Sequence, residues 1–185
     1  ERMFSILQEV SASSSLAIGE LLASMRQARA RLETATGRPP IPLGVPTLDG
    51  LLGGGLARAQ ITEVVGRRSS GRMAFVGTAL AAADRLGERV ALIDAADAFL
   101  PQSMSGLRLP RLLWIRPRTL EAAMKSVDRL IDAGGFGLLV AYLVDVGLRP
   151  PPGATRSRFR IDDQGLWARL RHRVEASGSA LLIVG

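Results

Sequence analysis

Gly66-Arg67-Arg68-Ser69-Ser70-Gly71-Arg72-Met73 is the stretch on which the reading of the whole chain depends. It lies between an apolar, strand-like run, Ile61 to Val65, and a helical pattern that opens near Arg72. Two glycines separated by four residues, set between a strand and a helix, form the layout of a phosphate-binding P-loop. In that layout the loop N–H groups and the helix N-terminus converge on an anion. A working loop continues with Lys, which reaches the outer phosphates, and with Ser or Thr, which ligates magnesium. Here those two places hold Arg72 and Met73. The turn is kept and the reactive side chains are replaced.

Outward from the loop, strands and helices alternate. Upstream, Pro46 to Leu52 suits a short helix, with proline in its first turn and Gly53 to Gly55 ending it. Downstream, the pattern predicts a helix over Met73–Leu86, strands over Arg89–Asp94 and Leu112–Ile115, and a helix over Thr119–Ala133. A long apolar strand over Phe136–Val144, a helix over Leu166–Ala176 and a strand over Ala180–Val184 complete the series. Short, strongly apolar strands alternating with helices specify an α/β fold, a mostly parallel sheet with helices on both faces. Ligands of such folds bind at the carboxyl ends of the strands, where Gly66 to Gly71 falls.

The chain before this core has a different character. Residues 1–15 end in a serine-rich patch and are expected to be a flexible N-terminus. Residues 16–36 carry helical periodicity, with Leu16, Leu21, Leu22, Met25 and Leu32 able to share a face. That face is a candidate partner-docking surface, and packing on its own domain accounts for it equally well. Gly37, Pro39, Pro40 and Pro42 mark residues 37–43 as a linker, leaving 44–185 as the core. The start at Glu1 and the stop just beyond Val184 suggest the ordered part of something longer, truncated at the C-terminus.

Composition narrows the function classes. The 185 residues are 47% apolar, enough for one domain with a real core. Without cysteine there is no disulfide or thiolate site, and with His172 as the single histidine a His-based metal cluster or triad is not expected. No apolar run reaches the length of a membrane span and no signal-peptide layout opens the chain, so the expected compartment is the cytoplasm, with no membrane partner. The net charge is +7, and Lys125 is the only lysine. An arginine-dominated positive charge favours bidentate contacts to phosphate or carboxylate. Genome composition produces the same bias.

One segment interrupts the alternation. Between Gly147 and Asp163, three consecutive prolines and a glycine forbid regular structure, and Arg149, Arg156, Arg158 and Arg160 flank Phe159. Arginines beside an aromatic are candidate DNA-binding residues. A solvated loop would carry the same composition.

Four pieces in fixed order resemble the core of the RecA recombinases. Leu48-Asp49, the glycine cluster, Thr62-Glu63-Val64-Val65-Gly66 and Ser69-Ser70-Gly71 are similar to the recombinase run into its P-loop. Ile93-Asp94-Ala95-Ala96 to Pro101 is similar to its Ile-Asp-Ala-Glu stretch, and Arg116-Pro117 to Tyr142 follows without a gap. Gly165-Leu166 to Val184 looks like the next helix and strand, so the resemblance runs from about Gly44 to the end. It implies a RecA-like P-loop core in which Arg72 replaces the P-loop lysine and Met73 the magnesium-binding threonine. By the same resemblance, Ala96 stands for the water-polarising glutamate and Tyr142 for the Walker B aspartate. Methionine offers magnesium no hard oxygen and alanine cannot orient water. Phosphoryl transfer depends on positioning and electrostatics, so the resemblance implies a pseudo-ATPase with no catalytic residues, no metal and no cofactor. Gly66, Ser69, Ser70, Gly71 and Arg72 remain as a vestigial P-loop.

Within that family the chain most resembles the ImuA type. This implies a non-catalytic accessory protein of damage-induced translesion synthesis, contacting a polymerase-like protein of the ImuB type, RecA, and single-stranded or primed DNA, with possible self-association. Neighbouring SulA-type division inhibitors share a degenerate RecA-like core and give the alternative, action through protein binding alone. A weak DNA-dependent ATPase is the third reading.

Overall fold

The computed structural model describes residues 37–67, 69–104, 106–144 and 164–185. Arg38–Gly185 forms one compact unit. Its elements run α1 (Pro46–Leu51), β1 (Gln60–Val64), α2 (Arg72–Arg85), β2 (Val90–Asp94), β3 (Leu112–Ile115), α3 (Leu120–Ala133), β4 (Leu138–Tyr142), α4 (Gln164–Ser177) and β5 (Ala180–Val184), with two short 3₁₀ turns between β2 and β3. The five strands make one sheet in the order β1-β5-β4-β2-β3, every pair parallel. The expected α/β architecture is therefore present, each element expected between Pro46 and Val184 lying within two residues of its predicted ends, while the helix expected over residues 16–36 lies outside the described residues.

Strand chemistry sets strand position. β2, β4 and β5 are buried at every residue, which their apolar sequences, broken only by Asp94 at the end of β2, require once helices cover both faces. β1 and β3 carry Glu63 and the half-exposed Leu113 and take the two edges. Side-chain alternation divides the core into two layers. Leu92, Leu138, Val140, Tyr142, Leu182 and Val184 meet α2 on one face. Ile93, Leu139, Ala141, Leu181 and Ile183 meet α3 and α4 on the other.

α2 lies close against its layer because its inward positions are small: Gly77, Ala79, Ala82 and Ala83 are buried. A Cβ on Gly77 would stand 2.2 Å from Met104 Sδ, so the glycine admits the loop after β2 onto the helix. α3 starts on Thr119, whose hydroxyl oxygen accepts the Ala122 N–H at 3.1 Å and satisfies one of the helix's orphan donors. α1 has Pro46 at its start, and Asp49 within it accepts the N–H groups of Leu43 and Gly44 at 2.7 and 2.9 Å.

The supposed linker is a correction. Ile41 and Leu43 are fully buried in the α2 layer, and Ile41 exchanges backbone hydrogen bonds with Leu56 at 2.9 Å in both directions. Gly55 is obligatory there: its φ is +128° and a Cβ would lie 2.1 Å from the Ile41 carbonyl oxygen. The core thus begins before residue 44, and the prolines of 37–43 shape an extended segment laid onto it. Among the described residues no helix is long and apolar enough to cross a membrane.

Candidate functional site

The loop between β1 and α2 folds onto itself. The Ser70 N–H donates to the Arg67 carbonyl at 3.2 Å, closing a turn. Ser69 sits at φ +59° and Gly71 at φ +85°, the left-handed conformation from which α2 departs. Ser69 is a non-glycine residue in a region that L side chains seldom occupy, which is the kind of strain a functional loop retains. A Cβ on Gly66 would stand 2.4 Å from Ser70 Oγ and 3.5 Å from Arg72 Cδ, so those side chains crowd the start of the loop.

Arg72 does not project freely from the loop. Its Nη1 donates to the Gly185 carbonyl at 2.5 Å, while the Gly185 N–H donates to Val64 O at 3.1 Å. The guanidinium thereby ties the first turn of α2 to the ends of β1 and β5. Met73, the next residue, packs against the α2-side core. Tyr142 is 93% enclosed in the same apolar layer, together with Val144 and Val184. The two places to which the resemblance assigns magnesium chemistry both hold side chains packed in the apolar layer.

The carboxyl end of β2 is similarly committed. Asp94 is fully buried, and its two carboxylate oxygens accept the N–H groups of Ala98 at 3.1 Å and Phe99 at 2.9 Å. It shapes the following turn. Ala96 is exposed in that turn, and the preceding Ala95 N–H donates to Tyr142 O at 3.1 Å. Among the described residues no three His, Cys, Asp or Glu side chains converge.

Sequence reasoning missed several charged contacts. Arg116 lies over the Trp114 ring at 4.8 Å from its centroid, and Phe99 meets the same indole edge-on at 5.3 Å. Spacing of two along a strand, which places Trp114 and Arg116 on one face, was the available signal. Asp84, inside α2 and almost wholly buried, accepts the Arg108 backbone N–H and Nε at 3.2 and 3.0 Å. Burial pushes its carboxyl up, but the Arg108 hydrogen bonds and the charges of Arg108 and Arg111 outweigh that and hold it below the ordinary value. At the amino ends of the strands the buried Arg58 pairs with Glu88 at 2.8 Å, and burial lowers its guanidinium pKa against the opposing pull of Glu88. Arg173 joins α4 to Asp128 and Asp132 of α3, and the Asp132 hydrogen bond raises its pKa.

A cavity of about 600 Å³ lies between β1 and α4, lined by Ile61, Glu63, Trp167, Arg171, His172 and Glu175. It opens on the sheet face opposite α2. Trp167 is half-buried there and His172 exposed. The DNA-binding candidates Arg149, Arg156, Arg158, Phe159 and Arg160 lie outside the described residues, as do the docking candidates Leu16, Leu21, Leu22, Met25 and Leu32.

The model of the RecA N-terminal domain matches residues 28–170. The chain belongs to the RecA family. Among curated proteins it is 32% identical over 145 residues to Protein RecA of Gloeothece citriformis, covering 77% of this chain and 38% of that one. It is 30% identical over 141 residues to the chloroplastic DNA repair protein recA homolog 1 of Arabidopsis thaliana, covering 74% and 32%. Protein RecA of Streptomyces avermitilis is 34% identical over 133 residues, covering 70% and 35%. The chain therefore spans roughly a third of the length of the curated relatives it matches. The five-stranded parallel sheet is that of a RecA-like core, and this chain carries Arg72, Met73, Ala96 and Tyr142 at the positions discussed above.

Proposed function

We propose that this RecA-family chain is a non-catalytic accessory protein of DNA repair, of the ImuA type. In this reading it acts in damage-induced translesion synthesis by binding single-stranded or primed DNA, RecA and a polymerase-like partner, without hydrolysing ATP. The observation that carries the reading is the fate of the loop's reactive positions. Arg72 is spent on the Gly185 carbonyl, and Met73 and Tyr142 are spent on the core. The nearest buried carboxylate, Asp94, is spent on backbone N–H groups. Magnesium needs near-octahedral oxygen ligation and prefers carboxylates with phosphate oxygens; Arg72 and Met73 offer no oxygen, and the Asp94 carboxylate is buried and engaged by backbone donors. The RecA-family relatives, one of them named a DNA repair protein, favour DNA repair as the setting.

DNA contact is assigned to the segment between β4 and α4. Both anchors of that segment, Val144 and Gln164, lie at the carboxyl end of the sheet, since a helix that joins parallel strands runs back from that end. Replacing Arg156, Arg158 and Arg160 together with Ala is expected to weaken binding of a single-stranded oligonucleotide and to lower its salt dependence by about 2 log–log units. Unaltered affinity and slope would withdraw the segment from DNA contact. The SulA-type alternative, protein binding without DNA affinity, predicts no oligonucleotide binding by the unmodified protein at moderate salt.

A further inference from the structure

The arginines of the described residues are not evenly spent. Toward the amino ends of the strands, Arg58 and Arg38 share Glu88. Along the helices, Arg173 joins Asp128 and Asp132, and Lys125 joins Glu121 at 2.7 Å. At the carboxyl end of β3 the balance differs. Arg116 and Arg118 follow the strand and are exposed, and among the described residues the one acid paired with either is Asp97, at a loose 3.5 Å with both side chains more than half exposed. A pair that open to water contributes little and releases its arginine readily.

This cationic end is also aromatic. The Arg116 guanidinium carbon lies over Trp114 at 4.8 Å from the ring centroid, and Phe99 buttresses the indole from its edge at 5.3 Å and 74°. Trp114 keeps this place although its Nε1–H is enclosed and finds no acceptor among the described residues. Phenylalanine would fill the layer without an orphan donor. Indole, however, gives guanidinium the strongest π face of the aromatic side chains. The tryptophan is thus explained by what it holds rather than by how it packs.

We infer that Trp114, Arg116 and Arg118 form a contact strip for unpaired nucleic acid at the β3 corner of the sheet. A base stacks on the outer face of the Trp114-supported guanidinium, and Arg118, two residues on, takes an adjacent phosphate. Stacking on a guanidinium plane requires an unpaired base, which selects single strands over duplex. An acidic protein would satisfy the charges but has no use for the stacked platform. The inference rests on the DNA-binding reading above and adds a second contact, at a place that reading does not use.

Trp114 is its own reporter. In Trp167→Phe protein, full length, the remaining indole fluorescence is titrated with single-stranded oligothymidylate. Quenching on binding is expected. Arg116→Ala/Arg118→Ala should bind at least about fivefold more weakly and lose about 0.7 from the log–log salt slope, the one single-strand phosphate contact assigned to Arg118. Arg116→Lys, which keeps charge and loses the plane, should retain the slope and lose affinity and quenching. Both arginines are exposed, so equal thermal unfolding of the variants is expected. If the Arg116/Arg118 variant binds like the parent while the Arg156/Arg158/Arg160 variant does not, the strip is overturned and the DNA-binding reading stands. If neither variant changes binding, the strip and the β4–α4 segment are both withdrawn as contacts; if the parent itself binds no oligonucleotide, the DNA-binding reading falls. Polyglutamate binding with the same dependence on Arg116 and Arg118 would assign the strip to an acidic protein and overturn it as a nucleic-acid site.

Discussion

The two ends of the sheet use the same residue type in opposite ways. At the amino ends, Arg58 is 95% buried and its Nε and Nη2 are committed to the Pro39 carbonyl and Glu88. Glu88 in turn requires Gly137, where a Cβ would stand 2.1 Å from its Oε2. At the carboxyl ends, Arg116 and Arg118 are solvent-exposed and Arg67 caps an exposed turn. Apart from Arg72, which is tied to Gly185, arginine is structural where the strands begin and available where they end. An open parallel sheet places its ligands at the carboxyl ends, so the contrast follows the polarity of the fold.

That contrast ranks the effects of substitution. The largest belongs to the amino end. Glu88→Ala strands a buried guanidinium and should cost about 3–5 kcal/mol in denaturant unfolding. Replacing the pair together, Arg58→Met/Glu88→Leu, should recover most of that loss. Equal losses in the single and double variants would show that the charges are not the cause. Gly55→Ala comes next. Its positive φ and the Ile41 carbonyl at 2.1 Å predict a cost of about 2–4 kcal/mol, measurable in the same way.

Asp84 sharpens the comparison through pH. Its folded pKa lies below the unfolded value, so its contribution is fully present above the unfolded aspartate range, near pH 4, and is lost as pH falls through the folded pKa. Asp84→Asn should cost about 1–3 kcal/mol at pH 7, and the difference from the parent should shrink toward zero in strong acid. A gap independent of pH would mean that packing, not charge, holds the loop at Arg108. Smaller still is Thr119→Ala, which removes an exposed cap and should cost about 1 kcal/mol by thermal unfolding.

The sheet was legible in the sequence because burial on both faces demands uninterrupted apolar runs. Leu138–Tyr142 and Ala180–Val184 announce central strands, and the glycine spacing announces the loop before α2. Ile41 and Leu43 were not legible as core. Prolines on either side disguise a segment whose burial depends on Gly55 and Leu56, more than ten residues away. The candidate site divides likewise. The replaced residues Arg72, Met73, Ala96 and Tyr142 could be named from their places in the chain, but not what they do. The Arg72 contact spans 113 positions, from the first turn of α2 to Gly185, and no local pattern encodes it. Asp94 could have been catalytic or structural until its two backbone donors were placed.

The loop's loss of phosphoryl chemistry is the claim on which the functional reading stands. Phosphate release from ATP by the purified chain, with magnesium and single-stranded DNA present, measures it directly. The account predicts release no faster than in the protein-free blank, unchanged by Arg72→Ala. Magnesium-dependent release that disappears on Arg72→Ala would contradict it.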